Sequence, residues 1–368
     1  MKNLFRYNFL LLVPCLFFGR SYAQTPKLTG AFAASTGIAA DSKGNLFVTG
    51  KSNRIIKIDP QGKAELFAGG TKKIKDGAGT VVRFIDLVGI AIDKDDNLYV
   101  TDGPRILKIT PDAIATIVVG TSVYGHQDGE RNIASFAGLE NITIDNNGTI
   151  YVTDHEYSPN GSTGFYFIRK ITASGMVSTI ADGNNEFKLH YPRGIACDKE
   201  NNLYVCASVS HCIKKISPAG VISTLAGQCD KTVFNSIYKE GPVSTAVLTN
   251  PSGMSIADNG DVYITDTRLH RIIKVANGKV TTVAGSGKFD FAGNPAGGAE
   301  PGYADGKGTA ARFNAPGAIA FDRNGNLFII DASSSNNSYI RKLSPNGMVT
   351  TFCKHEWNPK TSQYEEVD

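Results

Sequence analysis

The chain has 368 residues, with 38 Lys and Arg against 34 Asp and Glu, a formal net charge of +4. Its first 23 residues place Lys2 and Arg6 ahead of an apolar run, Phe9 to Phe18, and the small-residue stretch Ser21-Tyr22-Ala23, the pattern of a cleavable export signal. Cleavage removes Lys2, Arg6 and Arg20 and no acid, three charges that leave +1, which argues against nucleic acid or an anionic membrane as partner.

The apolar run is too short to span a bilayer, and no later stretch reaches transmembrane length. A lipoprotein reading of Cys15 is disfavoured by Pro14 beside the cleavage point and the wholly apolar Leu16-Phe17-Phe18 after it. Export to the periplasm, cell surface or medium is therefore expected, with no membrane anchor left after cleavage.

From residue 37 onward one pattern recurs six times. In chain order the copies read GIAADSKGNLFVTG (Gly37 to Gly50), GIAIDKDDNLYVTD (Gly89 to Asp102) and NITIDNNGTIYVTD (Asn141 to Asp154). They continue as GIACDKENNLYVCA (Gly194 to Ala207), GMSIADNGDVYITD (Gly253 to Asp266) and AIAFDRNGNLFIID (Ala318 to Asp331). A second pair of short segments follows each, as in RIIKIDPQGKAELFAG (Arg54 to Gly69). Repetition at about 50 residues marks a solenoid or propeller, since one unit cannot bury its own faces.

Within a unit the apolar period is two, which predicts four short strands, a to d. The a–b turns carry Gly44, Asp96, Gly148, Asn202, Gly260 and Gly325 at one position, all types that tolerate positive φ. The c–d turns place Pro60 and Gly62, Pro218 and Gly220, and Pro345 and Gly347 where such a turn needs them. The acidic run Asp93 to Asn97 lacks the Gly and Glu of a calcium loop and reads as one more hairpin turn. Ala39, Ala91, Thr143, Ala196, Ser255 and Ala320 form a small-residue column on strand a, as strands converging on an axis require. Strand c carries Lys57, Lys108, Lys170, Lys215, Lys274 and Lys342, whose strict recurrence predicts packed stems and heads paired with turn carboxylates.

The connections between units also share a device. Asp76-Gly77, Asp128-Gly129 and Asp305-Gly306 lead to Phe84, Phe136 and Phe313; these and Leu189 and Leu248 read as wedges between neighbouring units. The last unit owns its outer strand, Met348 to Cys353, and Lys27 to Phe32 is expected to brace the two ends of the ring from outside.

On the pattern P-x-G-I-A-x-D-x-x-G-N-L-Y-V-T-D-x-x-x-x-R-I-x-K-I, the chain resembles NHL-repeat proteins. That resemblance implies an all-β fold, a six-bladed β-propeller of four-stranded antiparallel blades. The expected layout is a signal at 1–23, a propeller over 24–355 and a tail at 356–368. The blades are expected near 37–69, 89–120, 141–182, 194–227, 253–285 and 318–353. Fold alone assigns no activity.

Alternating strand direction puts the a–b and c–d turns on one face and every b–c and d–a loop on the other. The second face holds all the long segments and is the expected functional face. Its candidate ligand-binding residues are Glu140, His155, His190, Tyr191, Arg193, His211 and His270. His126 lies there too, and Asp102, Asp154, Asp266 and Asp331 close strand b at the same rim. Histidines and carboxylates are zinc or calcium donors, so a metal-assisted lyase or lactone hydrolase is the alternative reading. The recurrence of those aspartates, and of His211 and His270, points instead to loop capping. Arg193 and Glu140 do not recur, and a guanidinium fork suits a carboxylate or phosphate.

A binding scaffold for a protein, peptide or glycan is therefore the expected function, monomeric and without a required cofactor. Five cysteines follow the leader, four of them in one unit, and Cys206 with Cys212 is the expected disulfide across a b–c pair. Cys353 is expected to stay free.

Overall fold

The structure is a computed structural model that describes residues 35–50, 53–69, 74–76, 81–156, 164–183, 189–229, 238–285, 301–332 and 338–355. Six antiparallel sheets, each with four strands in chain order, are built by residues 35–69, 87–120, 139–182, 192–227, 251–284 and 316–355. Strand a of each blade packs against strand a of the next, and blade six meets blade one in the same way. The molecule is a six-bladed β-propeller, and a short 3-10 turn at Gly308–Ala310 is the one helical element among the described residues.

Each strand a starts about two residues before the repeat pattern does, because a bulge interrupts its pairing with strand b. In blade four Pro192 faces Ala207 and Ile195 faces Val205, so Arg193 and Gly194 fall in the irregularity. In blade three Glu140 and Asn141 occupy it. A bulge leaves residues unpaired and re-aims their side chains.

Glycine next to the bulge sets the spacing at the axis. A Cβ at Gly194 would lie 2.2 Å from the Ser252 carbonyl oxygen of the next blade, and one at Gly253 would lie 2.2 Å from that of Gly317. Strand b threonines tie the same junctions: Thr101 Oγ1 accepts from Gly89 N at 2.7 Å and donates to the Glu140 carbonyl at 3.0 Å. The small column of strand a has a further task. Ala91 faces Tyr99, which faces Lys108, and Ser255, Tyr263 and Lys274 form the same row. The ammonium of Lys108 lies 5.5 Å above the Tyr99 ring and 3.8 Å from Asp93, so the recurrent lysines are structural.

The aspartates ending strand b are staples. Asp102 accepts the backbone N–H groups of Ile85 and Asp86, and Asp154 those of Ala137 and Gly138. The connections entering blades two, three, five and six lay a short stretch along the outer edge of the blade they precede. This covers backbone groups that an edge strand would otherwise expose. In blades three and six a fully buried arginine holds that wrap. Arg169 bridges Asp128 and Asp154 at 2.8 and 2.7 Å, and Arg341 bridges Asp305 and Asp331 at 2.8 and 3.2 Å. Phe136 and Phe313 lie beneath the two guanidinium groups, fully buried as wedges.

Blade six keeps its own outer strand, Met348–His355, and its seam with blade one is apolar: Ile38, Val48 and Ile56 pack with Phe328, Ile330 and Ile340. Lys27 to Phe32 and residues 1–23 lie outside the described residues.

The expected Cys206–Cys212 disulfide is not formed; Cys212 bonds Cys229, with Cα atoms 5.3 Å apart. Pairing register explains the correction. Cys212 faces Ala207 and Cys206 faces Ile213, so the two cysteines are one rung out of step and point to opposite faces of the blade. Cys206 packs with Tyr204 and Met254, and Cys212 with Ile168 and Leu189. Cys229 follows Gly227, the partner of Cys212 on strand d, by two residues. Cys206 and Cys353 are buried thiols and Cys197 is a partly buried one.

Candidate functional site at the propeller mouth

The second residue of each strand a rings the mouth on the long-loop face: Thr36, Val88, Glu140, Arg193, Ser252 and Gly317. Blades three and four alone place charged side chains there, side by side. A wall rises next to them because the b–c hairpin of blade three is longer than its sisters. Its strands, Ile150–Glu156 and Phe165–Ile171, have seven residues each, against five in blades one, two and four. The added rungs pair His155 with Tyr166 and Glu156 with Phe165.

One face of this wall turns to the mouth. His155 Nδ1 stands 3.8 Å from Glu140 Oε1. The Tyr166 ring meets Tyr191 edge-on at 5.5 Å, and the His155 ring centre is 6.3 Å from that of Tyr191. Arg193 lies over the Tyr191 ring at 5.0 Å. Glu140, His155, Tyr166 and Tyr191 close around a tight crevice, so a ligand has to sit at its rim. Gly138 makes the arrangement possible, since a Cβ there would come within 2.9 Å of the His155 ring.

Burial pushes the Glu140 carboxyl above its ordinary range, against the opposing pull of His155, Arg193 and a hydrogen bond from Tyr191. Burial likewise raises the Tyr166 phenol, with Tyr191 and Glu140 adding to it. The cluster thus joins a carboxyl that takes up a proton readily, an imidazole, two phenols and a permanent cation. Such a set can bind a polar ligand by hydrogen bonds and charge, or move a proton.

Of the seven residues expected from sequence, Glu140, His155, Tyr191 and Arg193 come together. His190 is exposed and stands outside the cluster. His211 and His270 are latches: each has positive φ, His211 Nδ1 contacts the Thr249 carbonyl, and Ala315 N–H donates to His270 Nδ1 at 2.7 Å. Asn53 does the same in blade one, donating to the Ile85 carbonyl. His126 sits on the outer side of the wall, 2.9 Å from Glu156 and stacked on Phe167. Tyr166 was missed by the sequence reading; the signal was the extra aromatic Phe165-Tyr166-Phe167 run ahead of the Ile168 repeat position.

No group of three or more His, Cys, Asp or Glu side chains among the described residues is placed to hold a metal ion. The rim aspartates are committed to backbone N–H groups. A larger cavity of about 390 Å³ opens on the tight-turn face, lined by Asp145, Asp198, Glu200 and Asp258. Size does not make it the better candidate: Asp198 accepts from Asn202 and Tyr204, and Asp258 pairs with Lys199 at 3.0 Å.

Comparison with known proteins agrees with this architecture. A family model described as a beta-propeller repeat, SBBP, matches residues 34–57. The human NHL repeat-containing protein 2 is 37% identical over 89 residues, 23% of this chain and 12% of that protein. The Arabidopsis thaliana protein SUPPRESSOR OF QUENCHING 1, chloroplastic, is 26% identical over 251 residues, 66% of this chain and 20% of that one. The chain therefore spans a fifth or less of the length of these relatives. Among solved structures, an auxiliary nutrient binding protein from Bacteroides ovatus superposes with TM-score 0.59 at 16% identity, covering 89% of this chain and 70% of that one. Virginiamycin B lyase from Staphylococcus aureus gives 0.51 at 17%, covering 90% and 87%. The repeats, the six blades they build and these likenesses agree on one identification: the chain is an NHL-type six-bladed β-propeller.

Proposed function

We propose that the protein is an exported binding module that holds a protein, peptide or glycan on its long-loop face, at the mouth between blades three and four. The observation that carries this reading is the convergence of Glu140, His155, Tyr191 and Arg193, which do not belong to the repeat, at one point of a ring built otherwise of small or apolar residues. Variable side chains on a rigid frame are where binding concentrates. Residues 1–23 and the Cys212–Cys229 bond support export, since disulfides persist in oxidising compartments. The nutrient-binding description of a structural neighbour is in keeping with ligand capture.

Glycan and peptide arrays probed with the mature chain test it. Bound spots are expected to be lost with Arg193→Glu and Tyr191→Ala and kept with Lys94→Glu, whose site is an a–b turn of the opposite face. Equal retention by all three variants would remove the face assignment.

The Glu140–His155 pair supports a second reading, proton transfer in a lyase or lactone hydrolase at the same mouth. It predicts lactone opening or elimination by the wild type that Glu140→Gln and His155→Ala each abolish. Binding without turnover would leave the scaffold reading alone.

A further inference from the structure

We infer that the mouth recognises its ligand through a carboxylate group, gripped by Arg193; this rests on the binding role proposed above.

Four other arginines carried on blade strands, Arg105, Arg169, Arg271 and Arg341, show by contrast what is unusual about this one. Arg105 donates to Asp102 from Nε and Nη2, at 2.9 and 2.7 Å. Arg169 and Arg341 are each shared between two aspartates and two backbone carbonyls. Arg271 lies 4.1 Å over the Tyr238 ring, next to Asp266. In each of these the charge serves the fold. Arg193 is partly exposed at the mouth, and its partner is the face of Tyr191. Its charge reaches Glu140, but no ion pair closes between them among the described residues.

A guanidinium held over an aromatic ring is engaged there through its charge, which leaves its N–H donors to a ligand. Two parallel N–H groups match the two oxygens of a carboxylate. The ring also fixes the fork before binding, which lowers the ordering penalty. Position two of strand a asks for none of this, because Thr36, Val88, Ser252 and Gly317 fill it in four other blades.

Glu140 selects among anions. A phosphate dianion would meet one guanidinium and, beside it, a carboxyl that repels it when ionised. A singly charged carboxylate asks less: one fork satisfies it, and burial already eases protonation of Glu140, which then donates a hydrogen bond.

Two pairs of probes separate the sources of such a group, an acidic sugar or a peptide terminus. Glucuronate against glucose, and N-acetylalanine against its amide, are titrated into the mature chain by calorimetry, with glucose 6-phosphate as a further probe. The acidic member of at least one pair should bind about tenfold more tightly than its neutral partner. Arg193→Gln should erase that preference without lowering the unfolding temperature, and Glu140→Gln should preserve or increase it. Equal affinity within both pairs, no binding of either acid, preference for glucose 6-phosphate, or a preference that survives Arg193→Gln would each overturn the inference. If a neutral probe binds and Tyr191→Ala abolishes its binding, the carboxylate assignment fails while the binding role stands.

Discussion

Arg193 lies across the ring of Tyr191, 5.0 Å from its centre, and Tyr191 is held at φ 53°, in the left-handed region. A tyrosine there is strained, because its Cβ crowds the following carbonyl oxygen. The strain places the ring under the guanidinium and edge-on to Tyr166. Two substitutions separate backbone from ring. Both Tyr191→Ala and Tyr191→Gly delete the ring, but only glycine relieves the backbone, by about 1 kcal/mol. Denaturant unfolding should therefore rank Tyr191→Gly above Tyr191→Ala, with ligand capture lost in both. The reverse ranking would mean that the backbone is not strained.

The Glu140 carboxyl supplies a pH signature. Its folded pKa is raised above the reference 4.5, with burial the largest cause. A raised carboxyl favours folding while protonated, and this contribution is lost as pH climbs through the folded value. Glu140→Gln removes the dependence. The variant should match wild type in acid, where Glu140 is protonated in both states, and unfold at a higher temperature than wild type at neutral pH. A variant less stable than wild type at pH 7 would show that His155 and Arg193 outweigh burial.

The wrap clamp of blade three predicts a large asymmetry between two partners of one ion pair. Arg169 and Asp154 are fully buried, whereas the Asp128 side chain is 46% exposed. Removing Arg169 leaves Asp154 as a buried, uncompensated charge, and Arg169→Ala should cost about 3–5 kcal/mol. Asp128→Ala breaks a partly solvated bridge and its hydrogen bonds to Thr179, and should cost about 1 kcal/mol. Equilibrium urea unfolding of both variants checks the ratio, and equal losses would contradict the burial argument.

The frame was readable in the sequence because it repeats. Six copies of one pattern gave the strands, the turns, the wedge at Phe136 and Phe313 and the structural character of Lys108 and Lys274. Recurrence also predicted that His211 and His270 would serve the loops. Three of the seven candidate residues, Glu140, Tyr191 and Arg193, were singled out for the opposite reason, since they break the pattern, and His155 was singled out with the other loop histidines. What remained hidden depends on register and on long-range pairing. The bulge that re-aims Glu140 and Arg193 leaves no mark in the alternation. Arg169 and Arg341 stand at strand positions that Ile56 and Leu107 fill in other blades, and nothing local says that Asp128 and Asp305 return to meet them. The choice of Cys229 over Cys206 as the partner of Cys212 is a one-rung question that spacing cannot answer.

That rung yields the last prediction. Non-reducing peptide mapping should join Cys212 to Cys229 and find Cys206 as a thiol accessible only after unfolding. Closing a 17-residue separation stabilises by about 3 kcal/mol, so Cys229→Ser should unfold several degrees lower. Cys206 should respond in the opposite direction. It occupies the strand position of Thr49, Thr101, Thr153 and Thr265, and as the last three receive the N–H groups of Gly89, Asn141 and Gly253 it receives that of Gly194. A threonine hydroxyl at 206 would accept that N–H and donate to the Ser252 carbonyl, as Thr265 does to Gly317 at 2.9 Å. Cysteine and threonine are close in volume, so the gain comes with little repacking. Cys206→Thr should then keep or raise the unfolding temperature, by an amount matching one hydrogen bond of about 1 kcal/mol. A clear loss of stability would show that the blade four to five junction is packed differently from its sisters.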